Sequence, residues 1–439
     1  MIPSRRQLIQ HALFGAGLLG LRSLATGLPI SLLARPREAL AEETPPVCAD
    51  KAAAQYLILS TSEAGDPLNA NVPGAYDFPE IAHPLDPLMA KTALTVGGKA
   101  TFAAKPWANL GPLLARTSFV HHATLTGSHN NEAKVLRLMG ATERSEMSVS
   151  IFSRYLATCL GTVQSQPISL GAVSPGESLT FEGRTLPPLT PTGLKATLLN
   201  PKGPLTDLQK LRDADLDRLN ALFKESGTTV QRQYLDRMAT TQREARAISQ
   251  ELLDSLNTIT ANDANNQIIA AATLIKMNVS PVVSLHIGFG GDNHADPNLQ
   301  GEATQTVAGC ATIAALMQKL AAFGLQDKVT FAAMNVFGRT LSLKGTTGRD
   351  HLGNHHCTVM MGKNVKGSLI GGLTPNQGGA DFKALPIDSM TGAGSPTGDI
   401  AFTDTLASTG KTLGAALGVP QAILDQRITS GKIIRAALV

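Results

Sequence analysis

The sequence predicts an α/β fold, a three-layer α/β/α sandwich around a mostly parallel sheet. Three observations carry that expectation. Short apolar runs such as 56–60 lack polar alternation, as do strands buried on both faces. Such runs alternate with helical patterns from 265 to 361. Finally, Asp and His residues gather in the segments that follow the runs, where open α/β sheets place ligand groups.

Composition supports a folded, globular body. The chain has 439 residues, 43% of them hydrophobic, with 41 Gly and 25 Pro. At roughly 150 residues per domain this allows two or three domains and a sizeable core. Disorder is excluded as the main state, and no fibre repeat is present. The net charge of +4 sits in the first 41 residues, where Arg5, Arg6, Arg22, Arg35 and Arg37 face Glu38 alone. The remaining chain is balanced in charge. It carries no electrostatic footprint for nucleic acid or an acidic membrane.

That basic start reads as a signal peptide over 1–41. Ser4-Arg5-Arg6-Gln7-Leu8-Ile9-Gln10 resembles the twin-arginine export motif, and a moderately apolar stretch follows to Leu33. Ala39-Leu40-Ala41 supplies small residues for cleavage before Glu42. A membrane anchor is the alternative, but Arg22 and Pro29 interrupt the run of about 20 apolar residues that spanning requires. The resemblance implies the twin-arginine export machinery as a partner and a periplasmic or secreted location. No later run is long and apolar enough to span, so the chain from 42 to 439 is expected to be a soluble α/β domain. Its four cysteines, Cys48, Cys159, Cys310 and Cys357, allow three full disulfide pairings, and their spacing selects none.

In chain order, the first strand at 56–60 closes in Glu63-Ala64-Gly65-Asp66-Pro67, and Pro- and Gly-rich 67–106 reads as a covering loop. A strand at 118–121 precedes a helix at about 130–139. Residues 165–204 read as irregular or edge structure. From 205 to 256, apolar residues recur at helical steps while the intervening positions are charged. Residues 165–260 are therefore expected to be a Pro-rich and helical insertion ending in a helical hairpin. A helix at 265–277, a strand at 282–286, a glycine turn at 288–291, a helix at 300–323 and strands at 328–333 and 357–361 complete the sheet pattern.

The chemistry is expected in the loops. Seven of the ten histidines fall in the segments holding His121-His122, His129, His294, His351 and His355-His356, beside Asp292 and Asp350. Mixed Asp and His ligands suit divalent metals, because carboxylate supplies charge and imidazole suits zinc, iron and manganese. Two such clusters could build one binuclear site that clamps a phosphoryl or sulfuryl transfer.

Gly65-Asp66-Pro67-Leu68-Asn69, Ser128-His129, Phe289-Gly290-Gly291-Asp292-Asn293-His294, Phe337-Gly338-Arg339-Thr340 and Gly348-Arg349-Asp350-His351 occur in the order found in domain of unknown function 1501 proteins. The chain resembles that family, which in turn resembles the alkaline phosphatase and sulfatase superfamily. The resemblance implies an alkaline-phosphatase-like core and a two-metal hydrolase site holding zinc, manganese, calcium or magnesium. Carried over, Asp66, Asp350 and His351 would form one metal site. Asp292, His294 and either His355 or His356 would form the other. Ser128 would be the nucleophile, or simply a helix cap. Arg339 would hold an ester oxygen, or a structural salt bridge.

The chain departs from the family pattern by lacking a Trp before Asp292, by Val336 in place of an acidic residue, and by Pro67 in place of a Gly. Val336 cannot act as ligand or base. Two functions follow: a metal-dependent hydrolase of phosphate or sulfate esters, or a non-catalytic envelope or secreted binding protein on the same scaffold. Neither a haem motif nor a dinucleotide glycine fingerprint is present.

Overall fold

Seven strands form the central sheet of the computed structural model. It describes residues 47–129, 147–171, 179–181, 184–198, 250–342, 347–376 and 381–439, with 214, 215, 217–219, 221–225, 228 and 232 between them. In chain order the strands are β1 (Tyr56–Ser62), β2 (Thr117–His122), β3 (Ile168–Ser169), β4 (Val282–Leu285), β5 (Val329–Asn335), β6 (His356–Met361) and β7 (Ser368–Ile370). Across the sheet they run β7-β2-β6-β5-β1-β4-β3. Strands β3, β4, β1 and β5 pair in parallel, and so do β7 and β2. Only β6 runs against its neighbours β5 and β2. The carboxyl ends of β1, β2, β4 and β5 therefore share one edge with the amino end of β6.

Side chains alternate between the two faces of each strand, and two separate cores result. On one face Ile58, Val283, Phe331 and Val359 pack with Ile268, Leu274, Ile313 and Leu316. Those last four belong to helices outside the sheet. On the other face Leu57, Val282, Ala332 and Met360 pack with Phe152, Leu156, Leu413 and Leu424. The helices that flank the sheet include α1 (Ser148–Leu160), α2 (Gln250–Asn257), α3 (Ala264–Lys276), α4 (Gln300–Ala322), α5 (Thr405–Ala416) and α6 (Gln421–Arg427). Helices α2, α3 and α4 cover the first face, and α1, α5 and α6 the second. Each buried Leu, Ile or Phe contributes about 1.5–3 kcal/mol relative to exposure. The expected mostly parallel α/β architecture is present.

Differences from the sequence expectation are local. The covering loop at 67–106 contains a hairpin, Lys91–Val96 paired with Lys99–Ala104. Gly97 and Gly98 both take positive φ at its turn, and a Gly-Gly pair between two short runs is a hairpin signal. The segment at 165–260 enters the core at both ends: Ile168–Ser169 extends the sheet as β3, and Leu252 and Leu256 of α2 are buried with α3. In its middle, 214, 215, 217–219 and 221–225 are helical. The signal peptide at 1–41 and the helix at 130–139 lie outside the described residues. Of the cysteines, Cys48 and Cys159 form a disulfide that ties the segment before β1 to α1, while Cys310 and Cys357 are buried thiols. Among the described residues no helix is long and apolar enough to cross a membrane.

Candidate metal centre

Glycine lets the loops at the shared edge touch. Gly65, after β1, has φ +66°, and a Cβ there would lie 2.0 Å from the Phe337 ring of the loop after β5. Gly290, after β4, has φ +130°, and its Cβ would lie 2.5 Å from Pro67. Both positions combine a left-handed backbone with contact too close for any side chain. The three loops are thereby drawn over one point. Gly338–Arg339 also pairs antiparallel with His351–Leu352, which fixes the segment entering β6 against the segment leaving β5.

Over that point His129, Asp292, His294 and His351 each offer one ligand atom, and these atoms all lie within 4.8 Å of one another. The Nε2 atoms of His294 and His351 are 2.7 Å apart. Asp292 Oδ1 lies 3.3 Å from His294 Nε2, and its Oδ2 lies 3.5 Å from His129 Nε2. The far side of each ring explains the convergence. His129 Nδ1 is 2.9 Å from the Glu63 carbonyl, and His351 Nδ1 is 2.7 Å from the Gly127 carbonyl. A carbonyl accepts only from a protonated nitrogen, so the tautomer with Nδ1–H leaves Nε2 of each ring as a bare lone pair facing inward. Asp350 Oδ1 stands 3.6 Å behind His294 Nδ1. This is the outer-shell pattern that orients histidine ligands on a metal.

Electrostatics favour the neutral ring. Partial burial holds the His351 imidazole below its ordinary pKa, and the neighbouring Arg339, His129 and His294 push the same way against the Gly127 carbonyl. The cluster opens outward, with the side chains of His294 and Asp292 40% and 49% exposed. Phe337 lies against it, its ring centroid 4.4 Å from that of His351 and 5.2 Å from that of His129.

Arg339 runs beneath the cluster with its side chain fully buried. It donates to the Gly65 carbonyl at 2.5 Å, to the Ala64 carbonyl, and to Asp292 Oδ1 at 2.8 Å. Its remaining terminal nitrogen lies 3.3 Å from His294 Nε2. These partners occupy most of the guanidinium and make Arg339 a brace for Asp292 and for the loop after β1.

The structure joins Asp292, His294 and His351 and divides the rest. Asp66 is fully buried and accepts from the Phe289 amide at 3.3 Å, while its Oδ1 has no hydrogen-bond partner among the described residues. Burial pushes its pKa up, against the opposing pull of His286. Asp350 sits one step behind the cluster. His355 and His356 point into the sheet layer: His355 Nε2 lies 2.9 Å from His121 Nδ1, and His356 Nε2 accepts from the Asn335 amide at 3.1 Å. Both are buried, and neither belongs to the group of converging ligand atoms. Ser128 is exposed and precedes His129 in the chain.

The four-residue cluster is the one group of its kind among the described residues. His129 joins the cluster although the sequence pattern gives it no ligand role. Its signal was positional, as the histidine of the loop leaving β2.

The comparisons with known proteins bear on the same loops. Residues 199–387 match a family model described as Protein of unknown function (DUF1501). The match includes Asp292, His294, Arg339, Asp350 and His351, and stops short of Asp66, Ser128 and His129. No curated protein matches the chain.

Proposed function

We propose that His129, Asp292, His294 and His351 hold one divalent metal ion in a protein exported by the twin-arginine route, and that the site hydrolyses a phosphate or sulfate ester. The supporting observation is the convergence of three imidazoles and a carboxylate, with the outer nitrogens of His129 and His351 bonded to main-chain carbonyls. That donor set suits zinc, manganese or iron better than calcium or magnesium, which prefer oxygen ligands. A bound ion supplies Lewis-acid polarisation of an ester oxygen and lowers the pKa of water.

The chain's own residues do the rest. Arg339 holds Asp292 and the loop after β1 in place, and Phe337 shields one side of the cluster from solvent. Ser128, exposed beside His129, is the candidate nucleophile. The resemblance to the alkaline phosphatase superfamily supports the ester class by analogy alone.

The second reading is a metal-holding protein without turnover. It is favoured by the commitment of Arg339 to four protein partners and by Val336, a buried aliphatic side chain where the family pattern has an acid. Turnover of aryl phosphate and aryl sulfate by zinc- or manganese-loaded mature protein decides between them. The hydrolase reading expects metal-dependent release that Ser128→Ala abolishes without loss of bound metal. Full metal occupancy with no release from either ester establishes the second reading.

A further inference from the structure

We infer that Glu302 is a positioning residue for the metal centre, a single buried carboxylate that ties together the loops carrying three of its four ligands. Glu302 lies in the first turn of α4 and is fully buried. Its Oε1 accepts from Asn71 Nδ2 and from an Arg349 terminal nitrogen, both at 3.0 Å. Its Oε2 accepts from Asn293 Nδ2 at 2.9 Å and from Arg349 Nε at 2.7 Å. Asn293 stands between Asp292 and His294, and Arg349 stands two residues before His351. Asn71 belongs to the short helix Leu68–Asn71, which follows Asp66.

The arrangement leaves little slack. The remaining Arg349 N–H groups donate to the carbonyls of Thr340 and Leu341, from one terminal nitrogen, and of Ala82, from the terminal nitrogen that also serves Glu302, at 2.6–3.1 Å, so all five N–H groups are used. The Arg349 amide also donates to the Asn293 carbonyl at 3.2 Å, so the two ligand loops meet directly over the carboxylate. A buried charge pair with every lone pair engaged holds its partners in one geometry, because moving either loop strands an ion in a dry site. An apolar contact in the same place would fill space without fixing direction.

This inference rests on the metal reading for its effect on binding, and on the hydrogen bonds alone for its effect on the loops. The test therefore has two arms on the mature protein. In the metal-free protein, hydrogen exchange is followed in Glu302→Gln and in the milder Asn293→Ala, which removes one link and leaves the ion pair. Glu302→Gln is expected to speed exchange in 288–296 and 347–353 while β1 and β5 keep wild-type protection. Asn293→Ala is expected to do so in 288–296 alone. Exchange unchanged in both segments, or accelerated equally in β1 and β5, overturns the positioning role. If Glu302→Gln does not fold, Asn293→Ala decides by the same criterion. In the second arm, cobalt(II) is titrated and its visible absorption recorded. Glu302→Gln is expected to weaken binding by about 10- to 100-fold with a changed spectrum. Wild-type affinity and spectrum in the variant overturn the role. Failure of wild type to bind cobalt contradicts the metal reading instead, and leaves the exchange arm to judge the tether.

Discussion

At the scale of single residues, the difference between a ligand and its support decides what a substitution does. His351 has its Nδ1 on the Gly127 carbonyl and its Nε2 in the cluster, so His351→Ala removes a donor atom outright. Asp350 stands behind His294 and also accepts from the His351 amide at 3.0 Å. Asp350→Asn keeps that acceptor and loses only the charge behind an imidazole. Its expected effect is a loss of metal affinity of about tenfold, the low end for outer-shell changes. His351→Ala should lower affinity far more. Isothermal titration with zinc checks the ranking, and equal losses would place Asp350 among the ligands. Sequence could assign Asp and His to loops at the right edge of the sheet. It could not tell which ring nitrogen faces inward, because a main-chain carbonyl decides that, and a carbonyl leaves no trace in residue type.

At the scale of elements, strands and long helices were legible because burial on both faces leaves uninterrupted apolar runs. The helix at 300–323 and the strand at 282–286 fall within a residue of α4 and β4. The hairpin at 91–104 was not, because its apolar alternation is weak: Lys91, Thr95, Lys99 and even Phe102 are exposed, while the polar Thr101 takes a buried position. The paired strands β2 and β6 carry a further consequence. Burial lowers the pKa of His121 and of His122 to about 4, and lowers those of His355 and His356 well below the ordinary value. All four are more basic when unfolded, near 6.5. The unfolded chain therefore binds more protons between those limits, and stability is present in full above pH 6.5 and lost as pH falls toward 4. Each histidine contributes a slope of up to about 1.4 kcal/mol per pH unit. Asp66, whose pKa burial raises, works in the opposite sense, while His83 and His351, whose pKa values burial also lowers, add to the effect of the four. Urea unfolding of metal-free protein should show a midpoint that drops steeply between pH 6.5 and 4.5. A flat midpoint there would mean that these rings are not buried neutral.

At the scale of the whole molecule, one antiparallel strand in an otherwise parallel sheet brings the amino end of β6 to the edge where β1, β2, β4 and β5 end. Residues far apart in sequence, His129 and His351 among them, thus meet over one point. Export belongs to this scale as well. Replacing Arg5 and Arg6 by Lys should hold an uncleaved precursor inside the cell, and normal export of that variant would remove the twin-arginine assignment. The most direct measurement of the account is elemental analysis of the chain from 42 to 439, purified without chelator, beside its His351→Ala variant. The account predicts about one zinc, manganese or iron ion per wild-type chain, from the single four-ligand cluster, and a nearly metal-free variant. A wild type that stays metal-free after incubation with zinc and manganese, or equal metal in both proteins, would contradict it.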